Sequence, residues 1–367
     1  MFDLTRHPHL LRALSYADRA KNFVLRKNAG KTAAQQHLAQ FYRRVWHGAA
    51  AQVGATLEDL GGDVFEIRLG SQWTRVCNNC TTIDDLATHL IVRTKPVMYR
   101  LLAKHGLPVP DHIEFTIKEM QPAAAFLERA PRECVIKPAC GTGGGLAVTT
   151  GVRTRWQLAR AAWTASVHGD YPIIEEQVEG RNYRLLFLDG ELIDAVKREP
   201  PTVIADGKST VQQLVERLNQ ERLDHEGTLS HSLLTIDFDL QSTLRRQGLS
   251  FRSVPAEGKL VQLKTVINEN SALDNVTAMN ELCPALIEEA KQAVRISGLR
   301  LAGVDVITTN PGVSLHESGG VFLEVNSPPG YFWHYHKRDG AFPVAVHVLE
   351  AIFNRQPARR EFVACPC

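Results

Sequence analysis

Residues 183–198, YRLLFLDGELIDAVKR, constrain this chain more than any other stretch. Two apolar-rich runs flank Asp189-Gly190, the dipeptide favoured in a tight type I′ turn, so the segment must fold back on itself as antiparallel strands. Other strand and helix signals surround it. CVIK (134–137) is a short β-rich run, and LAVTT returns after a glycine loop as its partner. YPIIEEQV reads as a further strand, and LAGVDVITT and VFLEVN as two late ones. RTRWQLARAAWTASVHG reads as a helix closed by a glycine. Ser209 is placed to cap a helix whose Val211, Leu214, Val215 and Leu218 share one face. CPALIEEAKQAVRISG opens on a proline and has Gly298 just past its end, the usual helix asymmetry. Upstream, Leu38, Phe41, Tyr42, Val45 and Trp46 recur at helical spacing, in a pattern that Gly61-Gly62 stops before the strand DVFEIRLG. Another helix is expected from Thr94 or Lys95 to His105-Gly106, and the prolines of LPVP then enforce an extended exit.

Length and charge narrow the function classes. A chain of 367 residues suits about two or three structural units. Its formal net charge of +2 gives no electrostatic case for nucleic acid or an anionic membrane. No apolar run approaches the roughly 18 residues that span a bilayer, and the opening MFDLTRHPHLLRALSYADRAKN has no apolar signal-peptide core. Seven cysteines, an odd number, argue against a disulfide framework and for a reducing cytoplasm.

Three constellations carry chemistry. Asp305 lies within VDVIT, and Glu324 and Asn326 are two apart in FLEVN, so they point to one face of their strand. If the two strands are neighbours, the three side chains converge as oxygen ligands suited to Mg²⁺. The plainer alternative is ordinary strand-end polarity, although acids inside apolar strands need a partner. In VIKPACGTGGGLAVTT, Lys137 precedes Gly141, Gly143, Gly144 and Gly145, whose backbone can approach phosphate closely; a merely mobile turn is the alternative. Glu175-Glu176-Gln177-Val178 offers an edge for an adenine, and Lys197 and Arg198 bring positive charge to the end of the following hairpin.

Taken in order, these pieces resemble the ATP-grasp superfamily. Within it, RLLFLDGELIDAVKREPPTVIADGKSTVQQLVERLNQ, GLRLAGVDVIT and LEVNSPPG are similar to the ATP-grasp part of cyanophycin synthetases and related peptide ligases. The likeness covers roughly residues 93–354 and is weaker upstream from about residue 64. It implies an α+β fold in which two α+β subdomains clamp ATP, preceded by an N-terminal helical and α/β region (1–92) and followed by a basic tail (355–367). By motif position, Lys95 and Lys137 are expected on the phosphates, with Gly141 to Gly145 as a lid over them. Glu175, Glu176, Gln177 and Val178 are expected around the adenine, with Asn182 at the ribose. Asp305, Glu324 and Asn326 are expected on one or two Mg²⁺ ions, or on Mn²⁺. The implied reaction phosphorylates a carboxylate of an amino acid or small peptide, and an amine then attacks the acyl phosphate. Expected partners are these small molecules, with no nucleic acid and no membrane, in a cytoplasmic protein whose assembly includes the homodimer as an option.

Several positions depart from the family pattern. Asn182 stands where many relatives carry an acid, with Glu179 as an alternative. Gly303 stands where D-Ala–D-Ala ligases have an arginine, so Arg300, Lys264 or Arg184 would supply that charge, and Arg300 joins Lys197 and Arg198 as an expected catalytic cation. KTVINENSALDNVT replaces a serine-threonine-glycine-glycine loop. The Mur-ligase-like half of a complete cyanophycin synthetase is not expected. Cys77-Asn78-Asn79-Cys80 with Cys365-Pro366-Cys367 has zinc-ligand spacing, yet isolated thiols are the plainer reading. His334, Tyr335 and His336 are candidates for an acceptor pocket or for ordinary core. An ATP-grasp phosphotransferase and a non-catalytic nucleotide-binding module stand as alternatives to the ligase.

Overall fold

A computed structural model describes residues 33–140, 147–224, 238–265 and 274–355, with isolated positions between. Its first helix of described extent, Ala33–Gln52, is followed by a meander of three strands, β1 (Thr56–Gly61), β2 (Val64–Leu69) and β3 (Gln72–Cys77). The helical spacing read from sequence overruns the helix here. Gly54 at φ +72° turns the chain after Gln52, and residues 56–61 pair with β2 instead. The helices Leu86–Val92 and Lys95–Lys104 follow, the second with Pro96 in its first turn as expected.

A four-stranded antiparallel sheet comes next, with strand order β4-β7-β5-β6. It is formed by β4 (His112–Glu114), β5 (Cys134–Pro138), β6 (Thr149–Val152) and β7 (Pro172–Glu176), covered by the helices Gln121–Arg129 and Arg155–Ser166. The hairpin β8 (Arg181–Leu188) and β9 (Glu191–Arg198) turns at Asp189 (φ +52°) and Gly190 (φ +83°), the predicted type I′ geometry. A small unit then packs β10 (Thr202–Ile204) and β11 (Leu260–Gln262) on the helices Val211–Asp224 and Phe238–Arg246. Thr210, rather than the predicted Ser209, caps the first of these: its hydroxyl accepts from Gln213 N and its N–H donates to Gln213 Oε1, while Ser209 bonds Asp206. The last strands are β12 (Asn275–Thr277), β13 (Leu301–Thr308) and β14 (Val321–Asn326).

These complete an antiparallel sheet ordered β12-β9-β8-β13-β14. One face is covered by the helices Lys95–Lys104 and Pro284–Ser297. Part of the other face, at Leu186, Leu188 and Leu301, shares a core with the first helix, the β1–β3 meander and the helix Val344–Arg355. That core therefore runs across residue 92. The rest of the same face is polar, and it forms the floor of the site. No helix among the described residues is long and apolar enough to cross a membrane.

Candidate active site

A cavity of about 500 Å³ opens between the two larger sheets. Strand pairing builds its floor. Arg184 on β8 is the register partner of Asp305 on β13, and Asp305 is the partner of Glu324 on β14. Directly opposite residues share a face, so a buried cation and two acids line up across three strands. Arg184 donates from Nε and from Nη2 (2.7 Å) to the two oxygens of Asp305. Burial alone would raise the Asp305 carboxyl, but Arg184 beside it holds the group below the usual carboxylate range. Asn326, opposite Gly303, donates from Nδ2 to Asp305 Oδ2 at 3.3 Å. The Lys95 ammonium reaches Glu324 at 3.0 Å. Sequence reasoning thus places Asp305, Glu324 and Asn326 together, and the structure brings them together.

The facing wall carries Lys137 at the end of β5. Its ammonium is 2.7 Å from Glu175 Oε1 and donates to the Tyr99 hydroxyl at 2.9 Å. The one hydroxyl hydrogen of Tyr99 is shared between the Leu323 carbonyl (2.9 Å) and Glu175 Oε2 (3.2 Å), tying this wall to β14. The Glu175 carboxylate therefore faces the lysine rather than an adenine edge. Tyr99 escaped the sequence reading, although it lies one helical turn after Lys95 on the same face. At the end of β7 the amides of Glu176 and Gln177 donate to Asp111 O and Glu133 O, and the Gln177 side chain accepts from Gly151 N. Val178 follows on the cavity wall, with Gly180 and Asn182 after it.

On the floor sheet, two buried polar atoms facing the cavity have no hydrogen-bond partner among the described residues, Asn182 Oδ1 on β8 and Arg198 Nε on β9. An acceptor at Asn182 suits a sugar hydroxyl. Arg198, 3% exposed, lies 5.0 Å from the Trp333 ring centroid, and burial pulls its pKa down to about 10, with Arg184 adding to the fall. Such a cation calls for an anion. The cavity thus combines hard oxygen ligands, two lysines, a guanidinium with an unpartnered Nε and a free amide oxygen, a donor set that fits a nucleoside triphosphate with Mg²⁺.

Other expected residues lie elsewhere. Lys197 sits on the opposite face of β9 and pairs with Glu281, because adjacent strand residues point to opposite sides. Arg300 pairs with Asp189 (2.7 and 3.1 Å) at the hairpin turn, five residues and about 17 Å along the chain from Asp305. Of the three cations offered for the role vacated at Gly303, Arg184 contacts Asp305, and a Cβ built on Gly303 would lie 3.2 Å from Arg184 Cδ and Nη1. His334 is fully buried with Nδ1 2.7 Å from Asp194, and neither it, Tyr335 nor His336 lines the cavity. Gly141, Gly143, Gly144, Gly145 and the tail from residue 356 lie outside the described residues. Cys77 and Cys80 are free thiols, and no group of three or more His, Cys, Asp or Glu with metal-site geometry occurs among the described residues.

No family model matches the chain. It is 32% identical over 275 residues to cyanophycin synthetase of Trichormus variabilis, a match covering 72% of this chain and 30% of that protein. It is 30% identical over 315 residues to the glutathione biosynthesis bifunctional protein GshAB of Mannheimia succiniciproducens, covering 83% of this chain and 41% of the other. Among solved structures, a bifunctional glutathione synthetase from Pasteurella multocida superposes with a TM-score of 0.55 at 26% identity, over 83% of this chain and 43% of that one. The chain spans less than half the length of the relatives it matches.

Proposed function

The chain is a member of the ATP-grasp superfamily, near cyanophycin synthetase, and from that premise we propose that it is an ATP-dependent carboxylate–amine ligase acting on an amino acid or small peptide. One observation carries the reading: the line Arg184–Asp305–Glu324, flanked by Lys95 and faced by Lys137, in a cavity that also holds an unpaired Arg198. Phosphoryl transfer asks for positioning and charge neutralisation more than for covalent help from the protein, and this set of side chains offers both.

In this proposal the γ-phosphoryl group of ATP passes to a substrate carboxylate. An amine then attacks the acyl phosphate, and an amide, ADP and phosphate leave. Lys95 and Lys137 hold the phosphates, each exchanging its carboxylate partner for a phosphate oxygen. The backbone around Val178 borders the adenine, and Asn182 Oδ1 accepts from a ribose hydroxyl. Asp305, Glu324 and Asn326, with its carboxamide turned to present Oδ1, would hold one or two Mg²⁺ ions, for which Mn²⁺ is the natural substitute. Bound there, the cation neutralises charge on the polyphosphate. Arg184 and Arg198 stabilise the anionic oxygens of the transferring group and of the tetrahedral intermediate, the function that Gly303 cannot serve. The domain division at residues 92/93 and 354/355, a cytoplasmic setting and small-molecule partners belong to the same proposal.

The test is a screen of amino acids and dipeptides for amine-dependent ADP and phosphate release, with mass spectrometry of the products. Glu324→Ala should abolish turnover with folding intact. Turnover that needs the carboxylate but is indifferent to the amine would favour a phosphotransferase, and unchanged turnover in Glu324→Ala would refute the metal assignment.

A further inference from the structure

Both strands that carry the proposed metal ligands are gripped at their ends by one short segment, residues 79–89, outside the cavity. Asn79 donates from Nδ2 to the carbonyls of Pro328 (3.0 Å) and Pro329 (3.2 Å), just past Asn326. His89 Nδ1 lies 2.5 Å from the hydroxyl of Ser327, the buried residue that follows Asn326. Asp84 accepts from the amides of Arg300 (2.7 Å) and Leu301 (3.2 Å), where β13 begins its run to Asp305.

The segment is itself fixed. Cys77 and Cys80 exchange backbone hydrogen bonds (3.0 and 2.9 Å) around the turn that carries Asn79, and Trp46 Nε1 donates to Asn78 O at 2.7 Å. Pro329, held by Asn79, packs over Gly303: a Cβ there would lie 3.1 Å from Pro329 Cβ and 3.2 Å from Arg184 Nη1. The sheet already has an apolar core, so these polar contacts are not needed to bury it. Their distinctive property is where they act, on the residues adjoining Asn326 and on the strand bearing Asp305.

We propose that Asn79, Asp84 and His89 are positioning residues that set the distance between the Asp305 and Asn326 ends of the metal-binding pair of strands, so that the segment following β3 tunes cation affinity without touching the cation. A divalent ion with near-octahedral demands penalises a ligand displaced by a fraction of an ångström far more than a strand does. The inference rests on the metal assignment under Proposed function.

Its test is a calorimetric titration of Mg²⁺ into the full chain with a non-hydrolysable ATP analogue, run beside urea denaturation. Asn79→Ala, Asn79→Asp (which loses the donor at equal size), His89→Ala and Ser327→Ala should each raise the Mg²⁺ concentration for half-maximal nucleotide binding about 5- to 20-fold. His89→Ala/Ser327→Ala should shift it no further than either single change. Val348→Ala, in the buried core on the helix Val344–Arg355 and outside the segment, serves as the structural control, lowering the urea midpoint without moving the Mg²⁺ requirement. An unchanged requirement in Asn79→Ala and Ser327→Ala, or a shift in Val348→Ala that matches its loss of stability, overturns the inference while leaving the metal site standing. A wild-type protein whose nucleotide binding ignores Mg²⁺ overturns both.

Discussion

Lys137 and Glu175 allow the structural and ligand-binding roles of one charge pair to be separated. Both side chains are at least nine-tenths buried, their charges lie 2.7 Å apart, and the Tyr99 hydroxyl is the neighbour shared by both. Lys137→Met leaves the Glu175 carboxylate buried with that hydroxyl at 3.2 Å, and removing one partner of such a pair costs about 3–5 kcal/mol. Glu175→Gln strands the ammonium and should cost a similar amount. The double variant removes both charges, so its cost should fall to about 1–2 kcal/mol, comparable to a lost hydrogen bond and some packing. The expected coupling between the two sites, the double loss minus both single losses, is therefore about 4–9 kcal/mol and opposite in sign to the single losses. Urea denaturation of the four proteins measures it, and calorimetry with a non-hydrolysable ATP analogue measures the other half. The double variant should recover most of the stability and none of the nucleotide affinity, because the phosphate-facing ammonium is still missing. Additive stabilities, or a double variant that binds nucleotide like the wild type, would refute the reasoning.

Three further outcomes follow from the geometry. Gly180→Ala places a Cβ 2.4 Å from the Thr308 carbonyl carbon at φ +138°, so it should cost at least about 2 kcal/mol in urea and weaken nucleotide binding by moving Asn182. Arg198→Met removes a buried guanidinium that has no ion pair among the described residues, so urea stability should hold or rise by about 1 kcal/mol while turnover falls at least about 100-fold. Burial lowers the pKa of His334, and it lowers that of His336, with help from Arg44, from 6.5 to about 4. The unfolded chain then binds more protons than the folded one across that window, so stability should fall as pH drops from 6.5 toward 4. For His336, which is only partly buried, the loss should be of order 1–3 kcal/mol, and His336→Gln should flatten the slope.

Much of the floor of the site was legible because period-two alternation is visible in the letters: Glu324 and Asn326, two apart in VFLEVN, must face the same way, and a neighbouring LAGVDVITT strand can bring Asp305 to them. Register was not legible. An uninterrupted two-residue hairpin would pair Leu188 with Glu191 and, continuing, Asn182 with Lys197. The structure pairs Asn182 with Arg198, because the ladder slips by one residue between Leu186 and Phe187. One slipped residue exchanges the faces of Lys197 and Arg198, sending the first to Glu281 and the second into the cavity. Arg300 was misplaced for a simpler reason. Closeness in sequence to Asp305 means little on a strand that rises about 3.3 Å per residue. Arg184 was one of three equal candidates because its choice depends on cross-strand contact with Asp305, which spacing along the chain does not encode.

The charges of the site suggest why cation and nucleotide should bind as a unit. Glu324, half-buried, is held by Lys95, buried Asp305 by Arg184 and buried Glu175 by Lys137, so these acids are each neutralised by a basic group that the proposed reaction also uses. Pairing of this kind lets ionised groups persist in a site screened from water, where an isolated charge is costly. It also sets the order of exchange. A divalent cation taken up between Asp305 and Glu324 competes with Arg184 and Lys95 for the same carboxylates, and a polyphosphate offers those released cations new partners. Each ligand thereby lowers the cost of the other, a reciprocal coupling that needs no large movement of the fold. Arg198 stands outside this exchange with its Nε unpartnered. It is the group whose electrostatic demand an incoming anion meets without displacing anything.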